Sequence, residues 1–260
     1  SAWMNAYRRQ EKFDKPVTPI VSNNSNFVKG APGEPVLISW DDAETMFHEF
    51  GQAIHGLNSD VNYPTLAGTA VPRDYVEFPS QINEHWLPTH EVLSRFALHH
   101  RTGEPIPQAL VDKLKNASTF RQGFDVTEYL ASALIDMKLH LAGGADIDPD
   151  AFEREELAKL GMPSELVMRH RTPQFGHVFA SDGYSAGYYS YLWSETLALD
   201  VVDAFQRAPG GMYDKDMARK LHDNVMAVGN AIDPAVGYRQ LMGRDVDVSA
   251  YLRDKGFPTT

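Results

Sequence analysis

Cysteine is missing from this chain of 260 residues, and its absence excludes disulfides and the thiolate ligands of many metal sites. Long apolar runs are missing too, since no stretch approaches the ~18 residues of a membrane-spanning helix. Positive charge is scarce: 24 basic residues stand against 35 acidic ones, and the net charge of −11 argues against nucleic acid as a partner. What remains is a globular chain of one large domain or two small ones.

Residues 46–57 read MFHEFGQAIHGL and form the most informative segment. A metallopeptidase helix of the H-E-x-x-H kind carries two histidines four residues apart, with a glutamate beside the first as general base. His48 and Glu49 match this pattern, but Gln52 occupies the position of the second histidine. The segment indicates a zinc-peptidase helix with one ligand replaced. The alternative is a surface helix with two solvated histidines.

The segment divides into two faces when it is drawn as a helix. At ~100° per residue, about a third of the circumference is apolar and is predicted to pack against the core: Met46, Phe47, Phe50, Ile54 and Leu57. His48, Gln52 and His55 share the opposite side, and Ser39 or Asp41 can cap the start. His55 lies about 10 Å along the axis from His48, too far for both to bind one ion.

A glutamate farther along the chain is a candidate for a further metal ligand. Glu77 lies on the next predicted helix, and a glutamate from a second helix is a normal third ligand of catalytic zinc, with water in the fourth position. Asp74, one turn earlier, can orient a ligand histidine or cap the helix. Gln81 and Glu84 are predicted to form a solvated face.

Tyrosines recur at helical spacing after the segment Phe175-Gly-His177. The residues at positions i, i+4, i+7 and i+11 are Tyr184, Tyr188, Tyr191 and Glu195. Gly183 and Gly187 beside them suggest a mobile loop against a rigid helix, an arrangement that suits donors closing on a substrate carbonyl. A tyrosine stripe is otherwise a feature of cores and interfaces. Nearby, Arg169 and Arg171 offer guanidinium groups for a carboxylate, with a structural salt bridge as the favoured alternative.

Taken together, the segments FHEFGxAxHGL (47–57), YPTLAGT (63–69) and DYVEFPSQ (74–81) closely resemble the bacterial peptidyl-dipeptidases, or dipeptidyl carboxypeptidases. These zinc metallopeptidases are relatives of thimet oligopeptidase, neurolysin and oligopeptidase A. The resemblance runs from Ala2 to Gly256. It implies that His48 and Glu77 bind one zinc ion, that Glu49 is the base, and that position 52 holds the remaining ligand.

The resemblance also implies roles for the second group of residues. His177, Tyr184 and Tyr191 would stabilise the oxyanion and bind substrate, with Tyr188 as a further substrate contact. The expected substrates are short peptides, cleaved to release C-terminal dipeptides, in a cytoplasmic protein that is a monomer at full length. The chain (1–260) would be the C-terminal catalytic region of a longer peptidase, whose N-terminal helical region, the other wall of the substrate channel, lies outside this sequence.

Gln52 is the departure from the family pattern. A carboxamide oxygen is a poorer, uncharged zinc donor than imidazole, so the substitution is expected to cost metal affinity and to impair activity. The glutamine is either natural or a deliberate change that traps an inactive enzyme. Two other readings stay open: a catalytically inactive peptide-binding protein that keeps the channel face, and a helical scaffold without a site.

The predicted fold is mainly α, the multi-helical architecture of a zincin-type metallopeptidase catalytic domain, with at most a small β element beside the metal-site helix. Residues 1–38 read as an irregular lead-in, with short extended pieces around 19–21 and 36–38, and residues 39–260 as helical. The predicted helices are 40–57, 74–99 (bent at Pro88), 107–119, 121–142, 149–160, 163–169, 185–207, 214–228, 234–242 and 248–255.

Overall fold

The computed structural model describes residues 2–259 and confirms a mainly helical fold. Two antiparallel strands, β1 (Trp3–Arg8) and β2 (Ile20–Asn24), pair with Trp3 opposite Asn24 and lie against the first helix. This is the small β element that was predicted. The extended piece predicted at 36–38 is not a strand.

Twelve α-helices follow within the described residues. They are α1 (Trp40–Leu57), α2 (Arg73–Val76), α3 (Phe78–Glu84), α4 (His90–Phe96), α5 (Gln108–Ala117), α6 (Gln122–Leu141), α7 (Pro149–Lys159), α8 (Gly176–Phe179), α9 (Ser190–Arg207), α10 (Lys215–Leu221), α11 (Pro234–Met242) and α12 (Ser249–Asp254). A π-helical turn, His222–Met226, continues α10. None of the helices in residues 2–259 is long and apolar enough to cross a lipid bilayer.

Two of the predicted helices are wrong. The single helix over 74–99 is three short helices, because a proline cannot donate the backbone hydrogen bond that a continuous helix needs at Pro79 and Pro88. The segment 163–169 is not helical. Helices this short are marginal without packing, and Pro163 follows Gly161, whose φ of 74° ends α7. The predicted helix 185–207 begins only at Ser190.

The N-terminus of α1 is held by a capping box. The Ser39 side chain accepts from the Asp42 N–H at 3.0 Å, and the Asp42 carboxylate accepts from the Ser39 N–H at 3.1 Å. The predicted packing face is partly wrong, since Met46 and Phe50 are exposed while Gly51, Ala53 and His55 are buried. Gly51 and Ala53 let α3 approach this side of α1 closely. The packing of α3 therefore decides which face of α1 is buried, although the other face carries larger apolar side chains.

The main core lies where α3 and α9 pack with the α10–α11 region. Its fully buried members include Phe78, Ile82, Val201, Phe205 and Val225. The Trp86 indole meets the Phe205 ring edge-on, with the ring centroids 5.5 Å apart. Because α3 is anchored in this core and also crosses α1, the two helices that carry the candidate ligands keep one relative position.

Replacing Gly51 with alanine is expected to destabilise the protein by ~1–3 kcal/mol, the usual cost of overpacking. A Cβ at this position would lie 2.7 Å from the Ser80 Cα and 2.8 Å from the Asn83 Cβ, so α1 and α3 must separate. Urea unfolding measures the effect. The control is Gly123→Ala in α6, where a Cβ has open space and better helix propensity should add up to ~1 kcal/mol. A Gly51→Ala protein as stable as its parent would contradict the prediction.

Candidate active site

Three side chains predicted as metal positions converge at one point. The His48 Nε2 lies 3.2 Å from the Glu77 Oε2. Gln52 donates from Nε2 to the same carboxylate oxygen at 2.9 Å, and its nitrogen lies 3.4 Å from the His48 Nε2. His48 and Gln52 come from adjacent turns of α1, whereas Glu77 is the buried residue between α2 and α3. The local sequence of α1 and its contact with α3 therefore bring these residues together.

Electrostatics make His48 and Glu77 an ion pair. Burial alone would lower the pKa of His48, but hydrogen bonds with Glu77 and Glu84 outweigh it and raise the pKa to about 10. Burial would raise the pKa of Glu77, and hydrogen bonds from His48, Tyr184 and Gln52 instead hold it at about 2. In this structure the side chains of His48, Gln52 and Glu77 are joined to one another by hydrogen bonds and an ion pair.

Glu84 corrects a prediction, because it does not lie on a solvated face. Its Oε1 is 2.5 Å from the His48 Nδ1, so both ring nitrogens of His48 meet a carboxylate. Gln81 also points inward and donates to the Tyr191 carbonyl at 3.1 Å. The helix is interrupted at Glu77 and begins again at Phe78, and this changes which side of α3 faces α1.

Asp74 plays neither of the roles predicted for it. Its carboxylate accepts from the Tyr189 hydroxyl at 2.9 Å, and its backbone carbonyl accepts from the Ser194 hydroxyl at 3.0 Å. The N-cap of α2 is Pro72, and the carboxylate that orients His48 is Glu84. Asp74 therefore joins α2 to the start of α9.

Glu49, the predicted base, is buried beside the ion pair. Its Oε2 has no hydrogen-bond partner among the described residues. Burial raises the pKa of Glu49, and the nearby Glu77 adds to the rise, against the opposing effects of His48 and a backbone hydrogen bond from Met4 of β1. A carboxylate with a raised pKa and an unpaired oxygen is suited to accept and return a proton.

His177, Tyr184 and Tyr191 form a stack on the other side of Glu77. The His177 ring lies over Tyr184 at 4.3 Å between centroids, and the Tyr184 and Tyr191 rings are parallel at 5.5 Å. The His177 Nε2 is 2.9 Å from the Tyr191 hydroxyl, and the Tyr184 hydroxyl donates to the Glu77 Oε1 at 2.6 Å. Burial lowers the pKa of His177, which favours the neutral ring.

The tyrosines do not share one helix as their spacing predicted. Tyr184 ends a 3₁₀ turn, Tyr188 lies in the following non-helical turn, and only Tyr191 is on α9. Tyr188 meets the rings of His177 and Tyr191 edge-on, at 6.0 and 5.7 Å. Glu195 lies outside this group and pairs with Lys255 at 2.5 Å.

Two residues at this site carry no signal in the sequence. The Arg73 guanidinium lies over the Tyr184 ring, 4.4 Å from its centroid, and Glu84 holds His48. Neither belongs to a short motif, and their contacts join segments distant in the chain. Arg171, in contrast, forms the structural salt bridge that was favoured, with Asp150 at 2.6 Å and Glu153 at 2.7 Å.

The donor set does not fit a tightly held zinc ion. Catalytic zinc sites use three protein ligands, and this site offers one imidazole, one carboxylate and the neutral carboxamide of Gln52. Within residues 2–259 no group of three histidine, aspartate or glutamate side chains is placed to hold a metal. His48 and Glu77, the two ligands that the resemblance implies, contact each other and are joined by Gln52.

His55 lies apart from this site and gives a pH-dependent prediction. It is fully buried, and neither ring nitrogen has a hydrogen-bond partner in the described part of the chain. Burial lowers the pKa of His55 from its usual 6.5 to about 4. Between these values the unfolded chain binds a proton that the native state does not, so stability should fall as the pH drops from 6.5 to 4, by about 3 kcal/mol.

Unfolding free energies of the parent and of His55→Leu at several pH values isolate this contribution. The difference between the two proteins should be constant above pH 6.5 and should shift in favour of the leucine variant as the pH falls to 4. His100→Leu, at an exposed position, is the control for the loss of a histidine from the surface. Parallel curves for the parent and His55→Leu would show that His55 has the same pKa in the native and unfolded states, which would contradict the prediction.

A histidine and glutamate pair on one helix, a second glutamate just before another, and a histidine–tyrosine stack facing them define the class of helical metallopeptidase sites. The sequence model of Peptidase family M3 matches residues 1–257, and the chain belongs to that family. This confirms the resemblance drawn from the motifs.

Individual relatives agree with the family assignment. The chain is 39% identical over 258 residues to dipeptidyl carboxypeptidase of Escherichia coli (strain K12), an alignment covering 98% of this chain and 37% of that protein. It is 32% identical over 263 residues to oligopeptidase A of Salmonella typhimurium, covering 98% of this chain and 38% of the relative. The chain therefore spans little more than a third of the length of the curated relatives it matches.

Proposed function

We propose that this chain is the catalytic region of a peptidase that cleaves short peptides and releases C-terminal dipeptides, with catalysis impaired by Gln52. The observation that carries the proposal is the convergence of His48, Glu49 and Glu77 with the stack of His177 and Tyr191. Membership of Peptidase family M3 and the named activity of the first relative support it.

The residues present divide the chemistry of peptide hydrolysis between them. Glu49 would take a proton from the attacking water and deliver it to the leaving amine. The Tyr191 hydroxyl, held by His177, would donate to the developing oxyanion. Tyr184 is engaged by Glu77 in this structure, so we assign it first to holding that carboxylate.

Zinc is the cofactor of this proposal, and Gln52 limits it. A bound zinc ion polarises a substrate carbonyl and lowers the pKa of water. His48 and Glu77 are the side chains that would hold it. With a carboxamide as the third group, we propose that zinc binds weakly and that turnover by this chain is little or none.

Peptide binding without hydrolysis is the second candidate function. It is favoured by one observation: Gln52 bridges His48 and Glu77, so the site is assembled by its own hydrogen bonds. The substrates or ligands would again be short unfolded peptides, recognised beside the His177 and Tyr191 side chains.

To test the proposal, the parent and the Gln52→His protein are each incubated with zinc and a mixture of N-terminally blocked tetra- and hexapeptides. The products are analysed by mass spectrometry. The Gln52→His protein is expected to release C-terminal dipeptides, and the parent is not. Glu49→Gln in the Gln52→His background is the matched control and should abolish release. Binding without cleavage in both proteins would favour the second function. Absence of both cleavage and binding would overturn the two proposals together.

A further inference from the structure

One face of α6 grips the turn that carries the site tyrosines. The Asp136 carboxylate is buried and accepts from two backbone N–H groups of that turn, Ala186 at 2.9 Å and Tyr188 at 3.0 Å. No motif marks Asp136, and it lies about fifty residues earlier in the chain than the groups it binds.

Tyr129, seven residues before Asp136 on α6, contacts the same turn. Tyr129 stacks on the Tyr188 ring with the centroids 5.1 Å apart, and its hydroxyl donates to the Tyr188 carbonyl. The same hydroxyl accepts from the Leu192 N–H at 3.3 Å, within the first turn of α9. We call Tyr129 and Asp136 the α6 clamp, since they lie seven residues apart on one face.

The clamp is itself supported from the same helix. The His140 Nδ1 hydrogen-bonds the Asp136 backbone carbonyl at 2.8 Å and lies 2.9 Å from the Asp136 Oδ1, and the His140 ring stacks on Phe179 at 5.7 Å. A buried carboxylate is stable only when it is hydrogen-bonded or paired, and both oxygens of Asp136 accept a backbone hydrogen bond. Its place is therefore determined by the fold of this region.

The backbone of the turn is strained, so its conformation depends on contacts from outside the turn. Ala186 has a φ of 53°, in the left-handed region that is unfavourable for a residue with a Cβ. The Asp136 carboxylate binds the N–H of this residue and that of the residue two positions on. Conformations of this kind persist when surrounding contacts impose them, and they concentrate at functional sites.

We propose that the α6 clamp positions the tyrosine stack of the site, acting through the turn 185–188. Asp136 and Tyr129 are positioning residues, because they touch the turn and not the candidate reacting groups. Tyr184 precedes the held turn and Tyr191 follows it, so releasing the turn moves both hydroxyls relative to Glu77 and His177. The expected effect of the clamp on peptide binding rests on the proposed function.

Hydrogen–deuterium exchange and peptide binding test the clamp in the parent chain. In Asp136→Asn the amides of residues 186–188 are expected to exchange at least ~10-fold faster. The carboxamide has no charge, and its NH2 group cannot accept a hydrogen bond from the backbone N–H that it faces. Affinity for acetyl-tetraalanine, measured by calorimetry, should fall by a similar factor. Amides in α9 beyond its first turn should keep their protection.

Glu153→Gln is the matched control for a buried carboxylate. Glu153 accepts from the Thr172 N–H at 3.2 Å and pairs with Arg171 at 2.7 Å, so it holds a different turn. This variant should lower the melting temperature while exchange at 186–188 and peptide affinity stay at parent values. The inference is overturned if Asp136→Asn changes the turn no more than Glu153→Gln does, or if exchange rises equally in all helices.

Tyr129→Phe keeps the clamp testable if Asp136→Asn does not fold. It removes one hydroxyl, and faster exchange at Leu192 is expected while the amides of α9 beyond its first turn keep their protection. Unaltered exchange there would count against the clamp. Failure of the proposed function has a separate signature: neither the parent nor Gln52→His would bind acetyl-tetraalanine, while exchange of the turn would still decide whether α6 holds it.

Discussion

Replacing Gln52 with histidine is expected to raise zinc affinity by at least ~10-fold, the lower end of what changes around a metal site produce. The Gln52 side chain already points at the place where His48 and Glu77 meet. An imidazole there would supply the third protein ligand that a catalytic zinc site uses. The gain should also appear as zinc-dependent thermal stabilisation, because a metal that binds only the native state stabilises it.

Competition with a chromophoric chelator measures the affinity, and thermal unfolding with and without zinc measures the stabilisation. Gln81→His is the matched control, since Gln81 bonds the Tyr191 carbonyl and not the ligand pair. It should leave zinc affinity at the level of the parent. Tight, stoichiometric zinc in the unaltered protein would contradict the prediction and would point to the Gln52 oxygen or a water as an adequate substitute.

Tyr191→Phe in a full-length, zinc-loaded enzyme that carries Gln52→His is expected to lower kcat by ~10²–10³, the cost of losing one oxyanion donor. KM should change much less, because the hydroxyl acts mainly in the transition state. The change removes one oxygen that now bonds His177 at 2.9 Å and leaves the ring stack in place. Stability should therefore barely move.

Steady-state kinetics on a blocked peptide, with the melting temperature of each variant, separates a catalytic tyrosine from a core tyrosine. Tyr213→Phe is the control, because Tyr213 is half-exposed and its hydroxyl bonds Thr89. Tyr184→Phe should weaken zinc binding as well as turnover, since its hydroxyl holds the Glu77 carboxylate. Unchanged kcat in both Tyr184→Phe and Tyr191→Phe would remove the tyrosines from the mechanism.

Local patterns in the sequence were enough to predict the metal-site helix. The capping signal at Ser39 and the apolar spacing predicted a helix over 40–57, and α1 occupies the same residues. The positions of His48, Gln52 and Glu77 could be named from motifs, because a motif records which residue types the chemistry needs. The mainly α class and the family also followed from the sequence, since helix periodicity is local and the motif segments are specific.

Only the tertiary structure decided how these elements face one another. The amphipathic pattern assigned Phe50 to the core, yet Gly51 is what α3 packs against, because close approach of two backbones depends on the absence of a side chain. The contact of Glu84 with His48 depends on the helix restarting at Phe78, and the hold of Asp136 on the tyrosine turn joins distant segments. Such contacts come from packing between elements and leave no period or spacing in the chain, so the sequence could name the candidate reacting groups but not the residues that hold them in place.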